Sequence, residues 1–71
     1  MLRISAAKIA EFAHELDGIE IQGIHFKQVD AVKGIQVLFS VDTQDEEFAK
    51  NIVKSYLKSN HPAHRVYVEI V

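Results

Sequence analysis

Basic side chains are concentrated near the end of the chain, and three of them are spaced four positions apart. They are Lys50, Lys54, Lys58 and Arg65. Side chains four residues apart lie on one face of an α-helix, so the three lysines predict a basic ridge. Such a ridge binds phosphate groups or a nucleic-acid backbone, but it is also typical of a solvated helix face that complements the helix dipole. Because arginine and interleaved aromatic residues are scarce here, nucleic-acid binding is the weaker hypothesis.

Two histidines, His61 and His64, are spaced so that both imidazoles could bind one metal ion. A metal site needs a third or fourth ligand, and the chain contains no cysteine that could supply one. We therefore interpret this segment as a polar loop around Pro62, and we expect neither a metal nor another cofactor.

The sequence contains no pattern that predicts a catalytic site. The serines stand where they would cap a helix or face water, and G-x-S-x-G, P-loop and G-x-G-x-x-G motifs are all missing. Glu46 and Glu47 are adjacent carboxylates, but the dipole at a helix N-terminus lowers their proton affinity, which is wrong for a general acid. We therefore expect that the protein is not an enzyme.

The composition bounds the class of protein. With 71 residues, 48% of them hydrophobic and 25% charged, the chain predicts one globular domain over residues 1–71. A net charge of -2 argues against a surface that binds nucleic acid or anionic membrane as a whole. No disulfide framework is possible without cysteine, no apolar run is long enough to span a bilayer, and no secretory signal is visible. We expect a soluble cytoplasmic protein.

Residues 5–17 have the pattern of a helix. Ser5 is the expected N-cap, and Gly18 stands where a helix commonly ends. The apolar positions, spaced by threes and fours, are expected to face the core: Ile9, Phe12, Ala13 and Leu16. The polar residues between them, such as Glu15, are expected to face water.

Residues 19–29 predict a strand whose alternation is interrupted. Four apolar residues should share the core face, but the first two and the last two differ in parity: Ile19, Ile21, Ile24 and Phe26. One extra residue near Gly23, a β-bulge, would return all four to the core side.

A hairpin is predicted next in the chain. Residues 30–34 form the expected loop, in which Gly34 can adopt a positive φ. Residues 35–42 then alternate as a strand, and the inward positions are Ile35, Val37, Phe39 and Val41.

The second helix has the clearest signals in the sequence. Thr43 and Glu46 match a capping box at its N-terminus. The expected buried stripe is again spaced by threes and fours: Phe48, Ala49, Ile52, Val53, Tyr56 and Leu57. Pro62 lies beyond the end of the helix, and residues 64–71 predict a last strand.

Together these elements predict a two-layer α+β sandwich. If Leu2, Arg3 and Ile4 form a very short first strand, the order is βαββαβ, the arrangement of ferredoxin-like folds. Without that strand the order is αββαβ, a three-stranded sheet with two helices on one face. We favour the first version because Leu2 and Ile4 share strand parity, although the strand would be central and only about four residues long.

The sheet face opposite the helices carries apolar residues among polar ones: Leu38, Tyr67 and Val71. A chain of this length buries only about 60% of its unfolded surface, so self-association is one source of added stability. We predict a non-enzymatic protein-interaction module, a homodimer or a partner of another protein, that joins sheet faces or strand edges. The alternative is binding of a nucleic acid or a phosphate ligand through the basic residues Lys50, Lys54, Lys58 and Arg65.

Overall fold

The computed structural model describes residues 1–71 as a small α+β domain with a five-stranded sheet. The strands are β1 (Leu2–Ser5), β2 (Glu20–Ile21), β3 (Ile24–Gln28), β4 (Gln36–Val41) and β5 (Tyr67–Ile70). The helical segments are a 3₁₀ helix (Ile9–Glu11), α1 (Ala13–Leu16) and α2 (Glu46–Asn60). The spatial order is β2-β3-β4-β1-β5, and each neighbouring pair of strands is antiparallel.

The first strand lies inside the sheet rather than at its edge. β1 pairs with β4 on one side and with β5 on the other, and Leu2 and Ile4 are fully buried. So short a strand persists because both of its edges are hydrogen-bonded and its two inward side chains reach the core. The expected strand over residues 2–4 is confirmed, and the three-stranded alternative αββαβ is wrong.

The helix expected over residues 5–17 is wrong in its extent. Ser5 belongs to β1 and pairs with Gln36 and Tyr67, so it does not cap a helix. The chain then forms only the 3₁₀ helix and the short α1, neither of which has a side-chain N-cap hydrogen bond. The apolar stripe is nevertheless buried as expected: Ile9, Phe12, Ala13 and Leu16. Two short turns therefore satisfy the same hydrophobic spacing that predicted one helix.

The segment expected as a bulged strand is a hairpin of two strands. Gln22 and Gly23 both have positive φ, 50° and 84°, as the central pair of a type I′ turn requires. The turn reverses the chain between β2 and β3, which accounts for the change of parity without a bulge. Ile24 and Phe26 are buried, and the isoleucines on the other side of the turn pack against the core.

The tight turn between β3 and β4 lies further along the chain than the sequence predicts. Lys33 and Gln36 exchange both backbone hydrogen bonds, of 2.9 and 3.0 Å, around Gly34 and Ile35. The positive φ expected at Gly34 is confirmed at 64°. Because Ile35 lies in the turn, it is 54% exposed rather than inward. Beyond the turn the alternation holds: Val37 and Phe39 are buried, and Val41 is half-buried against the core.

The N-terminus of α2 lies two residues beyond the expected capping threonine. The carboxylate of Asp45 accepts from the backbone N–H of Phe48 at 3.0 Å, so Asp45 is the N-cap. Thr43 instead accepts from the Asp45 N–H at 3.2 Å, and the predicted capping box is wrong. Phe48, expected in the buried stripe, is 43% exposed because it occupies the first turn. The rest of the stripe faces the sheet, with Tyr56 half-buried.

One hydrophobic cluster of 16 residues joins the two layers. It combines the inward side chains of α1 and α2 with alternate positions of β1, β3, β4 and β5. Both helices therefore lie on one face of the sheet, and the opposite face, called here the open face, carries no helix. None of the helices has the length and apolarity needed to cross a lipid bilayer.

We predict that Phe39→Ala lowers the free energy of unfolding by about 3–5 kcal/mol, because the fully buried ring leaves a cavity between the layers. Urea denaturation followed by far-UV circular dichroism measures the change. Phe48→Ala is the matched control, since its ring is largely solvated and its loss should change stability far less. Equal stability changes in the two variants would contradict the burial of Phe39.

Candidate functional site

The three lysines of α2 line a groove between this helix and β5. One part of the groove has a volume of about 620 Å³ and is lined by Asn51, Lys54, Ser55, Lys58, Pro62, His64 and Val66. The adjoining part has a volume of about 370 Å³ and is lined by Ser5, Lys50, Lys54, Val66, Tyr67, Val68 and Glu69. Because the two parts share Lys54 and Val66, they form one α2–β5 groove.

The charges within the α2–β5 groove are mostly unpaired. Lys50 lies 3.9 Å from Glu47, whereas Lys54 and Lys58 form no ion pair. The one carboxylate along the groove, Glu69, is 3.2 Å from the guanidinium of Arg3. Closely spaced cations without counter-ions attract an anionic group, so the basic ridge expected from sequence is present and free to bind one.

Arg65 does not join the lysines. It lines an adjoining depression of about 480 Å³, together with Lys8, Ile35, His64 and Tyr67. His64, expected only in a polar loop, lines both the α2–β5 groove and the depression beside Arg65. No pattern in the sequence indicates this position, because residues 61–66 form no regular helix or strand.

The three apolar residues expected to form a contact surface do not form one patch. Strand register aligns Leu38 with Arg3 and Glu69, whose ion pair stands between Leu38 and the outer edge of the sheet. Tyr67 and Val71 are 62% and 54% exposed, whereas Leu38 is half-buried. The open face is therefore a polar surface with separate apolar bodies, of which Tyr67 is the most exposed.

Charged groups near the open face are paired with one another. The Nδ1 atom of His25 lies 2.7 Å from Asp42, and its Nε2 atom lies 3.6 Å from Glu20. The hydrogen bond that the Asp42 carboxylate accepts from the imidazole raises the pKa of His25, and the backbone and side-chain hydrogen bonds from His25 lower the pKa of Asp42. The imidazolium thus ties the β2–β3 hairpin to the end of β4.

A polar and aromatic cluster connects α1 with the end of α2. Glu15 accepts from the hydroxyl of Tyr56 at 3.0 Å and lies 3.2 Å from Nε2 of His61. The ring of His61 stacks on Phe12 with centroids 4.8 Å apart, and His64 is 5.6 Å from the same ring. The hydrogen bonds with His61 and Tyr56 lower the pKa of Glu15, which is opposite to the shift that a general acid at neutral pH needs.

The contacts of the histidine cluster connect α1 with the end of α2. His61 is held by the Glu15 carboxylate and the Phe12 ring, and no group of three or more potential metal ligands occurs in the structure. No serine or threonine hydroxyl is hydrogen-bonded to a histidine, so neither His25 nor His61 is arranged to activate a nucleophile.

We predict that the pKa of His25 lies above its ordinary value and falls when Asp42 is replaced by Asn, because the stabilising carboxylate is lost. Since the folded-state pKa is raised, the interaction stabilises the protein below the unfolded pKa and is lost as pH rises through the folded pKa. The chemical shifts of the imidazole protons in an NMR pH titration measure the pKa of His25. Asp30→Asn, on the opposite loop, is the control. A His25 pKa unchanged by Asp42→Asn would contradict the ion pair.

Comparison with family models, with curated proteins and with solved structures gives no match for this chain. Two surfaces of the molecule are candidates for binding. These are the open face, with paired charges and exposed Tyr67, and the α2–β5 groove, with unpaired lysines.

Proposed function

We propose that this chain is a non-enzymatic protein-interaction module that self-associates by packing its open face against that of a second copy. The observation that carries the proposal is the one-sided covering of the sheet: both helices pack on the same face. The other face retains Tyr67 at 62% exposure and the half-buried Leu38. Burial of such side chains stabilises an association by about 25 cal/mol per Å² of apolar surface.

The charges near the open face support a second copy as the occupant. Arg3 is paired with Glu69, His25 with Asp42 and Glu20, so covering this face buries ion pairs rather than single charges. An unpaired charge would oppose association far more strongly than a pair that is already hydrogen-bonded. The same pairs keep the isolated face hydrated, which favours a reversible association.

The dimensions of the molecule also support a face-to-face dimer. Its two longer extents are 28 and 25 Å, so one broad face can supply about the 800 Å² per partner of a standard interface. A two-fold axis through this face would place Tyr67 of each copy over the sheet of the other, where an aromatic ring is a favourable anchor. Val71, beyond the end of β5, would lie at the rim.

The alternative function is binding of a phosphate ligand or nucleic acid through the basic ridge. The α2–β5 groove favours an anionic ligand because Lys54 and Lys58 are unpaired. Two observations make nucleic acid the weaker candidate: Arg65 does not line the groove, and no Phe, Tyr or Trp ring lines its larger part for base stacking.

We further propose that the fold is ferredoxin-like. If the two-residue β2 is treated as an extension of the hairpin with β3, the remaining strands lie in the order β3-β4-β1-β5. β1, the first of these four strands in chain order, then lies between β4, the third, and β5, the last. This position supports the βαββαβ arrangement. The fold alone implies no activity.

We predict that the wild type forms a dimer at micromolar concentration, measured by sedimentation equilibrium, and that Tyr67→Ala raises the dissociation constant about tenfold or more. Leu38→Ser should act in the same direction with a smaller effect because Leu38 is already half-buried. Phe48→Ala is the control, since this exposed ring lies on α2, away from the open face.

Salt separates this dimer from association through the lysines. An apolar interface holds or strengthens in 0.5 M salt, whereas contacts to the lysines weaken. A strictly monomeric wild type at high protein concentration contradicts self-association. A dimer that Tyr67→Ala and Leu38→Ser leave intact contradicts the open face as its interface.

A further inference from the structure

The outer edge of β5 presents unpaired backbone groups. The N–H of Val71 donates to the carbonyl of Met1 at 2.9 Å, and the register with β1 places Glu69 opposite Arg3. Since hydrogen-bonded residues alternate along an antiparallel strand, Glu69 and Val71 face β1, whereas Val68 and Ile70 direct their N–H and C=O groups outward. No strand pairs with this edge, which can accept one more strand.

The unpaired edge and the unpaired lysines border the same groove. Lys50 and Lys54 line the part beside Val68 and Glu69, and Lys58 lines the part beside Val66. The lysines therefore follow β5 along its length, in the reverse direction of the chain. A strand added to β5 would lie with one row of its side chains on the α2 side, against these lysines.

The spacing of the lysines matches that of alternate residues in a strand. Residues four apart on a helix are separated by about 6 Å along its axis. Residues two apart on an extended strand are separated by about 6.8 Å and point to the same face. Three acidic residues at alternate positions of an added strand can therefore each approach one of the lysines 50, 54 and 58.

A second copy of this chain is a poor occupant of this edge. Two-fold pairing of β5 with β5 would place the α2 helices side by side, with the lysine row of one copy facing that of the other. Like charges at such positions oppose association. A nucleic acid would use the lysines but would leave the alternating donors and acceptors of Val68 and Ile70 without matching partners.

We propose that the α2–β5 groove binds an extended acidic peptide segment, which pairs with β5 as a sixth strand and directs alternate Asp or Glu side chains at Lys50, Lys54 and Lys58. The backbone of Val68 and Ile70 supplies the hydrogen bonds, and the lysines select for acidic sequences. The groove borders the open face at Tyr67 and Glu69, but the peptide contacts the outer edge of β5 and the lysines, so the proposal does not depend on self-association.

The test uses a fluorescein-labelled heptapeptide that alternates Glu with Val, with binding to the whole chain measured by fluorescence anisotropy at low salt. We expect saturable binding that Lys54→Glu weakens about tenfold or more, because one attraction becomes a repulsion. Lys33→Glu, on an exposed loop on the far side of the sheet, is the charge-matched control and should bind as the wild type does.

A second pair of variants tests the backbone contribution. Ile70→Pro removes an outward N–H that an edge strand does not need for folding, and it should weaken peptide binding about tenfold. Ile70→Ala retains the N–H and should bind nearly normally. Circular dichroism establishes whether both variants are folded. If Ile70→Pro is unfolded, Lys54→Glu still tests the proposal, because Lys54 is an exposed helix residue whose replacement should not unfold the protein.

Three results would overturn the proposal. The first is absence of peptide binding to the folded wild type. The second is binding by folded Ile70→Pro at full strength, which would show that β5 does not pair with the peptide. The third is tighter binding of a single-stranded oligothymidylate than of the peptide, unaffected by Ile70→Pro, which would assign the groove to nucleic acid. Repeating the titration with Leu38→Ser, a change on the open face that does not line the groove, separates every one of these results from failure of the dimer.

Discussion

The burial of Leu2 and Ile4 in the middle of the sheet is the constraint on which the rest of the structure depends. β1 is only four residues long, yet it connects β4 with β5, and both inward side chains are fully buried. Without β1 the last strand would have no partner, and α2 would have no complete sheet to cover. The position of β1 also places β5 at the edge, where its outer backbone groups stay unpaired.

A domain of this size cannot cover both faces of its sheet. The apolar stripes of α1 and α2 both pack against one face of the sheet, so the remaining apolar side chains are left at the surface. Tyr67, Ile70 and Val71 are all more than two-fifths exposed and stand in or next to β5. These residues stay exposed because β5 has one neighbouring strand instead of two.

Local periodicity predicted the parts of the fold that local residues decide. The alternation around Val37 and Phe39 and the stripe of α2 depend on residues close in sequence, and both are present. Ser5 was misplaced because its pairing partners, Gln36 and Tyr67, lie far along the chain and outcompete a cap. The lysine ridge was predictable from its fourfold spacing for the same local reason. Its association with the free edge of β5 was not, because tertiary packing alone brings the two together.

The two candidate surfaces differ in how their charges are arranged, and this difference implies different partners. Ion pairs near the open face, such as Arg3 with Glu69, leave little net field, so apolar contact around Tyr67 must provide most of its binding energy. In the α2–β5 groove Lys54 and Lys58 have no counter-ion, so its field extends to about a Debye length and steers anions. Under the two proposals above, shape would select a partner of the open face, whereas charge and an extended backbone would select a partner of the groove. Glu69 lines the groove, but its carboxylate is paired with Arg3, so β5 contributes to both surfaces while its one negative charge is balanced by a neighbouring cation.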